Sequence, residues 1–441
     1  MTVTRDVKKN SSIAFARQAA LTTENVTPGD FTAIACTWEA SHDQEQEDFS
    51  DFSAGAVGAF VPPAPGSKAG GTVTLSFPVK ALKVAYDPTA ANPGDAGIIS
   101  PEAVLLAAAL GSGGASSVAS AAAFAAGGHM STTDTDAGGI AVGSTTTNIK
   151  VTAALAASYI DGQFLAIDST ATAGSPGLGW VTDVDTSATP DEVTVSDALA
   201  ITPAAGETSY GTAVGYISGN DPVPITIWRT GNAVEFKWSY IGCIAKSLTI
   251  NLNAKKTAMI EITYQFADRK RYGSGGGLFT PGAFERIRPT LGNSGASLRQ
   301  DGAVTCGYHD LNVSLEWEIA DVECHSAAQG VSEFVRTLTS ANVTATIPYS
   351  SDLTDYPITD NEGPVETRYA NGTDIRLMLY VGEKAGQYFS MLFPALHVDS
   401  APQQTEVNGL MATELSMRPS AYTGDTGSTA PADTVIRFAV G

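Results

Sequence analysis

Positive charge is what this chain has least of. Lys and Arg number 25 against 46 Asp and Glu in 441 residues, for a net charge of -21, and between Lys83 and Arg229 the only base is Lys150. That shortage argues against a protein that grips nucleic acid by its phosphates and leaves a surface that repels polyanions. Cysteine is scarce as well. Cys36, Cys243, Cys306 and Cys324 are too few for a disulfide scaffold in a chain this long and are expected to be buried thiols. No apolar run reaches the roughly 18 residues of a membrane span. The opening MTVTRDVKKNSSIAFARQAAL has no continuous apolar stretch of the kind a secretory signal needs, so a cytosolic origin is expected.

Signatures of chemistry are equally thin. Five histidines, His42, His129, His309, His325 and His397, are scattered with no nucleophile motif beside them. Cys306-x-x-His309 with Cys324-His325 imitates a zinc set, but the adjacent second pair points to opposite faces if the strand from Leu311 continues through it. The glycines from Gly273 to Gly277 lack the lysine of a phosphate loop. Asp183, Asp185, Asp191 and Glu192 lack the glycine a tight calcium loop requires. Glu316 and Glu318 flank Trp317 and share the strand face opposite it, which suits a solvent-facing pair better than a glycosidase groove. Neither enzyme nor cofactor is expected.

What the chain has instead is alternation. In SLTINLNAKKTAMIEITYQF, Leu248, Ile250 and Leu252 oppose Ser247, Thr249, Asn251 and Asn253. After a short turn, Ile260, Ile262, Tyr264 and Phe266 oppose Glu261, Thr263 and Gln265. This predicts a long β-hairpin with one apolar and one polar side, the first covering a core and the second facing water or another subunit. GTVTLSFPVKALKV and DLNVSLEWEIADVE are strands of the same kind. Ser100-Pro101-Glu102, an alanine-rich run and Gly111 spell a capped helix. Val331, Phe334, Val335 and Leu338 fall at helical spacing and predict a second. The segment 373–393 reads as another hairpin, turning near Gly382 to Gly386, and GLMATELSMRP and TVIRFAV close the chain as strands.

Residues 1–71 are poorly periodic and read as an arm and loop carrying acids. Residues 111–148 are a Gly, Ala, Ser and Thr connector. Five short strands between 149 and 217 suggest a small inserted β-barrel or sandwich, projecting and dispensable. Strand, helix and hairpin thus recur in order, dividing the chain into a first half (1–148 with 218–272), the inserted module (149–217) and a second half (273–441).

On these residues the chain resembles the major tail tube proteins of long-tailed, siphovirus-type bacteriophages. The likeness is carried by Gly242-Cys243 running into the hairpin, by GTVTLSFPVKAL followed by a small-residue helix, and by RLMLYV, QYFSMLFPAL and GLMATELSMRP. It implies a mainly β, antiparallel sandwich with short flanking helices. It also implies rings that stack into a hollow virion tube conducting DNA without binding it, and partners among tape measure, tail terminator and distal tail proteins. Two fused tube-like halves favour trimers with pseudo-sixfold symmetry over hexamers. The expected assembly positions are Ser247, Thr249, Asn251, Glu261, Thr263 and Gln265 on the first hairpin and Arg376 and Tyr380 on the second. Contacts between rings are expected to set Glu45, Glu47 and Asp48 against Arg269, Lys270 and Arg271. A capsid decoration protein or another β-sandwich virion or adhesion protein is the alternative.

Overall fold

The computed structural model describes residues 11–41, 46–47, 64–65, 70–80, 100–111, 131–132, 136–168, 176–217, 223–231, 237–253, 256–272, 297–300, 303–305, 309–323, 331–348, 365–382, 388–422 and 434–441. In chain order it begins with β1 (Ser11–Arg17), β2 (Thr32–Ile34), β3 (Thr37–Ala40), the small pair β4 (Gln46–Glu47) and β5 (Ala64–Pro65), and β6 (Thr72–Pro78). Helix α1 (Pro101–Leu110) and β7 (Ser131–Thr132) follow. The middle holds β8 (Asn148–Val151), β9 (Phe164–Asp168), β10 (Pro176–Asp185), β11 (Asp191–Val195) and β12 (Thr208–Tyr210). Next come β13 (Ala213–Tyr216), β14 (Ile225–Gly231), β15 (Lys237–Asn253), β16 (Met259–Gln265) and β17 (Asp268–Tyr272). The remainder supplies β18 (Ser297–Gln300), β19 (Ala303–Thr305), β20 (Asp310–Glu323), β21 (Val331–Pro348), β22 (Ile375–Val381), β23 (Phe389–Val398), β24 (Gln403–Val407), β25 (Leu410–Pro419) and β26 (Arg437–Val440).

The fold is mainly β, and its named strands pair antiparallel. One layer runs β3-β6-β16-β15-β20-β21-β25-β24. The second contains β22, β23, β26 and β13, and β25 crosses into it by pairing its last residues with β23. Leu248, Ile250, Val313 and Leu315 from the first layer meet Met391 and Phe438 from the second, with Leu106 and Leu110 of α1 between them. This is sandwich packing, each strand turning alternate residues inward.

Helix α1 has the expected grammar: the Ser100 hydroxyl accepts from the Ala103 N–H at 3.1 Å and Gly111 closes the helix at φ 77. Every residue from Glu102 to Leu110 is buried, so the helix fills the core and does not ride on a sheet. Glu102 is neutralised there by Lys80 at 2.8 Å. The hairpin β15–β16 also forms as expected, and β15 is longer than its alternating stretch. Its first part, Lys237 to Ile241, lies between β14 and β17, and its last part lies between β16 and β20. The change of neighbours occurs at Gly242, whose φ of 66 suits glycine and whose N–H is held by the Gln18 side chain at 2.9 Å.

Several expectations need correction. The segment Val331 to Leu338 is not a helix but the start of β21, paired with β20 along its length. Phe334 and Arg336 point inward while Val335 is 47% exposed, so a buried arginine hid an alternating pattern. The N-terminal region is not merely an arm, because β1 is laddered between β2 and β14. The order strand, helix, hairpin does not recur as read: the second stretch runs β20, β21, the short helix Val365–Asn371, then β22–β23.

The inserted segment makes a five-stranded sheet, β12-β9-β10-β11-β8, with its own core around Ile149, Val151, Ile167 and Val193. Its last expected strand belongs elsewhere, since β13 pairs with β26 and β7. Nor does the segment stand clear of the body. Phe164, Leu178 and Trp180 pack on Tyr216, Met378 and Tyr388, and the Trp180 Nε1–H donates to Ser390 Oγ at 3.1 Å.

Candidate assembly face

The outer surface of the first layer brings most of the expected hairpin positions together. Cross-strand register aligns Thr37, Ser76, Glu261, Thr249, Ser314 and Asn342 in one row. The next row is Glu39, Thr74, Thr263, Ser247, Glu316 and Ser340. On the other side lie Met259, Asn251, Asn312, Thr344 and Ser416, then Asn253, Asp310, Thr346, Glu414 and Gln403. These rows carry five acids and no base. Glu39, Glu261, Glu316 and Glu414 are exposed, while the threonines and serines between them are mostly half-buried by their neighbours. Hydroxyls link the strands, as where Thr74 and Thr263 meet at 3.0 Å. Gln265 borders the face opposite Thr72. Cations stand at its margins: Lys246 is exposed at the β15 bulge, Lys256 is exposed in the β15–β16 turn, and Arg418 is paired with Asp399.

Arg376 and Tyr380 do not join this face. The Arg376 guanidinium reaches the Ser196 carbonyl at 3.1 Å and the Asp197 carboxylate, and Tyr380 is buried with Phe164 and Trp180. Both residues fasten the inserted sheet to the body. The basic tract is likewise engaged within the chain: Arg269 and Arg271 lie over Trp238, and Lys270 reaches Glu24 at 3.4 Å. Glu45 and Asp48 lie outside the described residues, and of Glu47 only its place in β4 is described. Cys306, Cys324, His325 and the hinge at Gly273 also lie outside them. Among the four acids weighed for calcium, Asp185 accepts from the Ser187 N–H at 2.8 Å and hydroxyl at 2.6 Å, and Glu192 is paired with Lys150. That hydrogen bonding holds the Asp185 carboxyl below the ordinary carboxylate range.

Behind the face runs a buried polar seam. Arg336, fully buried, donates from Nη1 to the Ala109 carbonyl at 2.7 Å, at the negative end of α1, and its guanidinium lies 4.7 Å from the Trp317 ring centre. Burial lowers its pKa to about 10. Burial also pushes the Cys36 thiol up to about 12, helped by Glu102, and raises Cys243 and the Tyr264 phenol. The two thiols and the phenol are desolvated and held neutral, which suits structural thiols and not nucleophiles.

Sequence reasoning missed one device on this layer. Asn408 and Gly409 both adopt positive φ, 52 and 80, in a two-residue turn joining β24 to β25. The Asn-Gly pair is the strongest short-range hairpin signal and was there to be read. No family model matches the chain, and no curated protein matches it.

Proposed function

We propose that this protein is a non-enzymatic structural subunit of a phage virion whose rings stack into the hollow tail tube through which genomic DNA leaves. The observation that carries this reading is the eight-stranded layer with its continuous acidic, hydroxyl-rich face. Strand direction alternates across the layer, with β3 and β24 outermost among its described strands. Set side by side, β24 of one copy therefore runs antiparallel to β3 of the next, and copies can close into a barrel without reversing a strand.

Barrel arithmetic supports three copies. With strands about 4.8 Å apart and tilted about 40°, three copies give twenty-four strands, a backbone diameter of about 48 Å and a bore approaching 40 Å. A nucleic-acid duplex roughly 20 Å across passes such a bore with water to spare. One copy closes around side chains alone, and six copies with all eight strands give a wall about 95 Å wide. Four strands come from each side of the β15–β20 junction, so a trimer mimics sixfold symmetry. With the polar face inward, the wall presents Glu39, Glu261, Glu316, Asp310 and Glu414 to the phosphates and repels them. The remaining partners are other tail proteins at the two ends of the tube, and DNA is conducted without specific contact.

Electron microscopy of the purified protein, alone and with tail components, tests the proposal. Rings or tubes with a negatively charged bore are expected. A species that stays monomeric at high concentration and joins no tail assembly overturns it, as does a lysine-lined lumen.

A further inference from the structure

Large apolar side chains exposed among the described residues are Val26, Val142, Ile160, Val322, Val335, Tyr369, Leu410 and Met411. Four of these mark the two ends of the same strands. Val322 and Val335 sit where β20 finishes and β21 begins. Leu410 and Met411 start β25, beside the end of β21, because Ala412 opposes Pro348. From Val335 to Pro348 the chain runs thirteen residues along one strand, about 44 Å. The patches therefore lie at opposite rims of the layer.

Each patch is built on a hairpin. Beyond Glu316, β20 leaves its pairing with β15, and β21 pairs with β25 only from Val343 onward, so Trp317 to Glu323 and Val331 to Leu338 form a two-stranded arm. One face of the arm is fastened to the body through Trp317, Phe334 and Arg336. The other presents Ala320 beside Val335 and Val322 beside Glu333, with Glu318 next in line. At the opposite rim, Leu410 and Met411 are 59% and 58% exposed on the tip formed by Asn408 and Gly409. The exposed Lys256 in the β15–β16 turn shares that rim, since Asn253 opposes Asp310.

We infer that these two patches are the longitudinal contact between successive copies: the Leu410–Met411 tip of one copy seats on the Val322–Val335 face of the next. The partner is a second copy of this chain, and the inference rests on the tube reading above. Two patches on opposite rims cannot bury each other within one molecule. Joined between molecules they make a head-to-tail contact that does not close and so extends into a filament. Glu318 and Glu333 flank one patch, and the other has Glu406 opposite Met411 with the exposed Lys256 on the same rim. A two-fold dimer would instead set like patch on like patch.

The test uses the full-length chain in three forms: wild type, the double variant Leu410→Ser/Met411→Ser, and the double variant Val322→Ser/Val335→Ser. All four side chains are exposed, so thermal melting of the variants is expected to match wild type. Wild type is expected to form tubes, and each variant to stop at single rings or to need at least about tenfold more protein for tubes. A chain carrying both Val335→Cys and Met411→Cys is expected to give a ladder of covalent multimers on oxidation, which neither single variant gives. Tubes from both serine variants at the wild-type concentration, or no ladder from tubes of the paired-cysteine chain, overturn the inference and leave the conduit reading standing. A wild-type chain that forms no higher assembly overturns both.

Discussion

Lys80 and Glu102 form an ion pair at the edge of the core. Glu102 is buried beside the start of α1, and Lys80 is its charged partner. Replacing Lys80 with Ala strands a carboxylate in the core and is expected to cost about 3–5 kcal/mol in denaturant unfolding of the dispersed subunit. A loss below about 1 kcal/mol would show the charge to be solvated. The phenols and thiols give a second test. Tyr216, Tyr240, Tyr264 and Tyr272 have pKa values raised by burial, Tyr272 also by its hydrogen bond from the phenol to Glu24, and the Cys36 thiol stands at about 12. Groups with raised folded values stabilise the fold fully below their ordinary values of 9.0 for thiol and 10.0 for phenol. That stability is lost as pH climbs through the folded values. The melting temperature should hold to about pH 9 and then fall, with these four phenols adding their tyrosinate absorbance only as the chain unfolds, after the earlier rise from exposed tyrosines such as Tyr369. Ionisation of all the tyrosines without loss of structure contradicts the burial described here.

Among the elements, legibility followed how cleanly a strand separates apolar from polar. The strands β6, β16 and β20 and the part of β15 from Ser247 onward do so residue by residue, and each was readable. Three were not, for physical reasons. The inward Arg336 broke the pattern of β21; β1 is buried on both faces through Ile13, Ala14, Phe15 and Ala16 and shows no alternation; and β24 is a polar margin strand, Gln403 to Val407. The polar face was foreseen on the first hairpin, but its extension across β20, β21 and β25 depends on long-range register that one sequence does not encode locally. Arg376 and Tyr380 alternate like surface positions and turn out to hold the inserted sheet. That attachment changes the expectation for a deletion. Replacing residues 142–210 with a short linker uncovers Met378, Tyr388 and Leu392, and aggregation or misassembly should follow; normal tubes from that chain would mean the packing is incidental. Gly242→Ala probes the bend in β15. A Cβ there would lie 2.5 Å from the Leu21 carbonyl, on a backbone with φ 66, so a loss of about 2 kcal/mol or more is expected. An unchanged melting temperature would mean the strand bends for another reason.

At the scale of the whole molecule, the acidic balance of the composition and the acidic sheet face support the proposed conduit, a wall that a polyanion would pass without being held. In the proposed ring, four strands from each side of the β15–β20 junction would form that wall, so three copies would suffice. Replacing Glu261 and Glu316 together with Lys puts positive charge into the central rows while leaving the outermost strands β3 and β24 untouched. Such a chain should still assemble and should retain DNA in a salt-dependent way that wild-type tubes do not. The central claim is the threefold, twenty-four-stranded ring, and the measurement that meets it most directly is symmetry analysis of tube images at a resolution that separates strands. The account predicts true threefold rings, with β24 of each copy paired to β3 of its neighbour around a bore approaching 40 Å. Rings with true sixfold symmetry, or a lumen formed by any surface other than the Glu261 face, would contradict it.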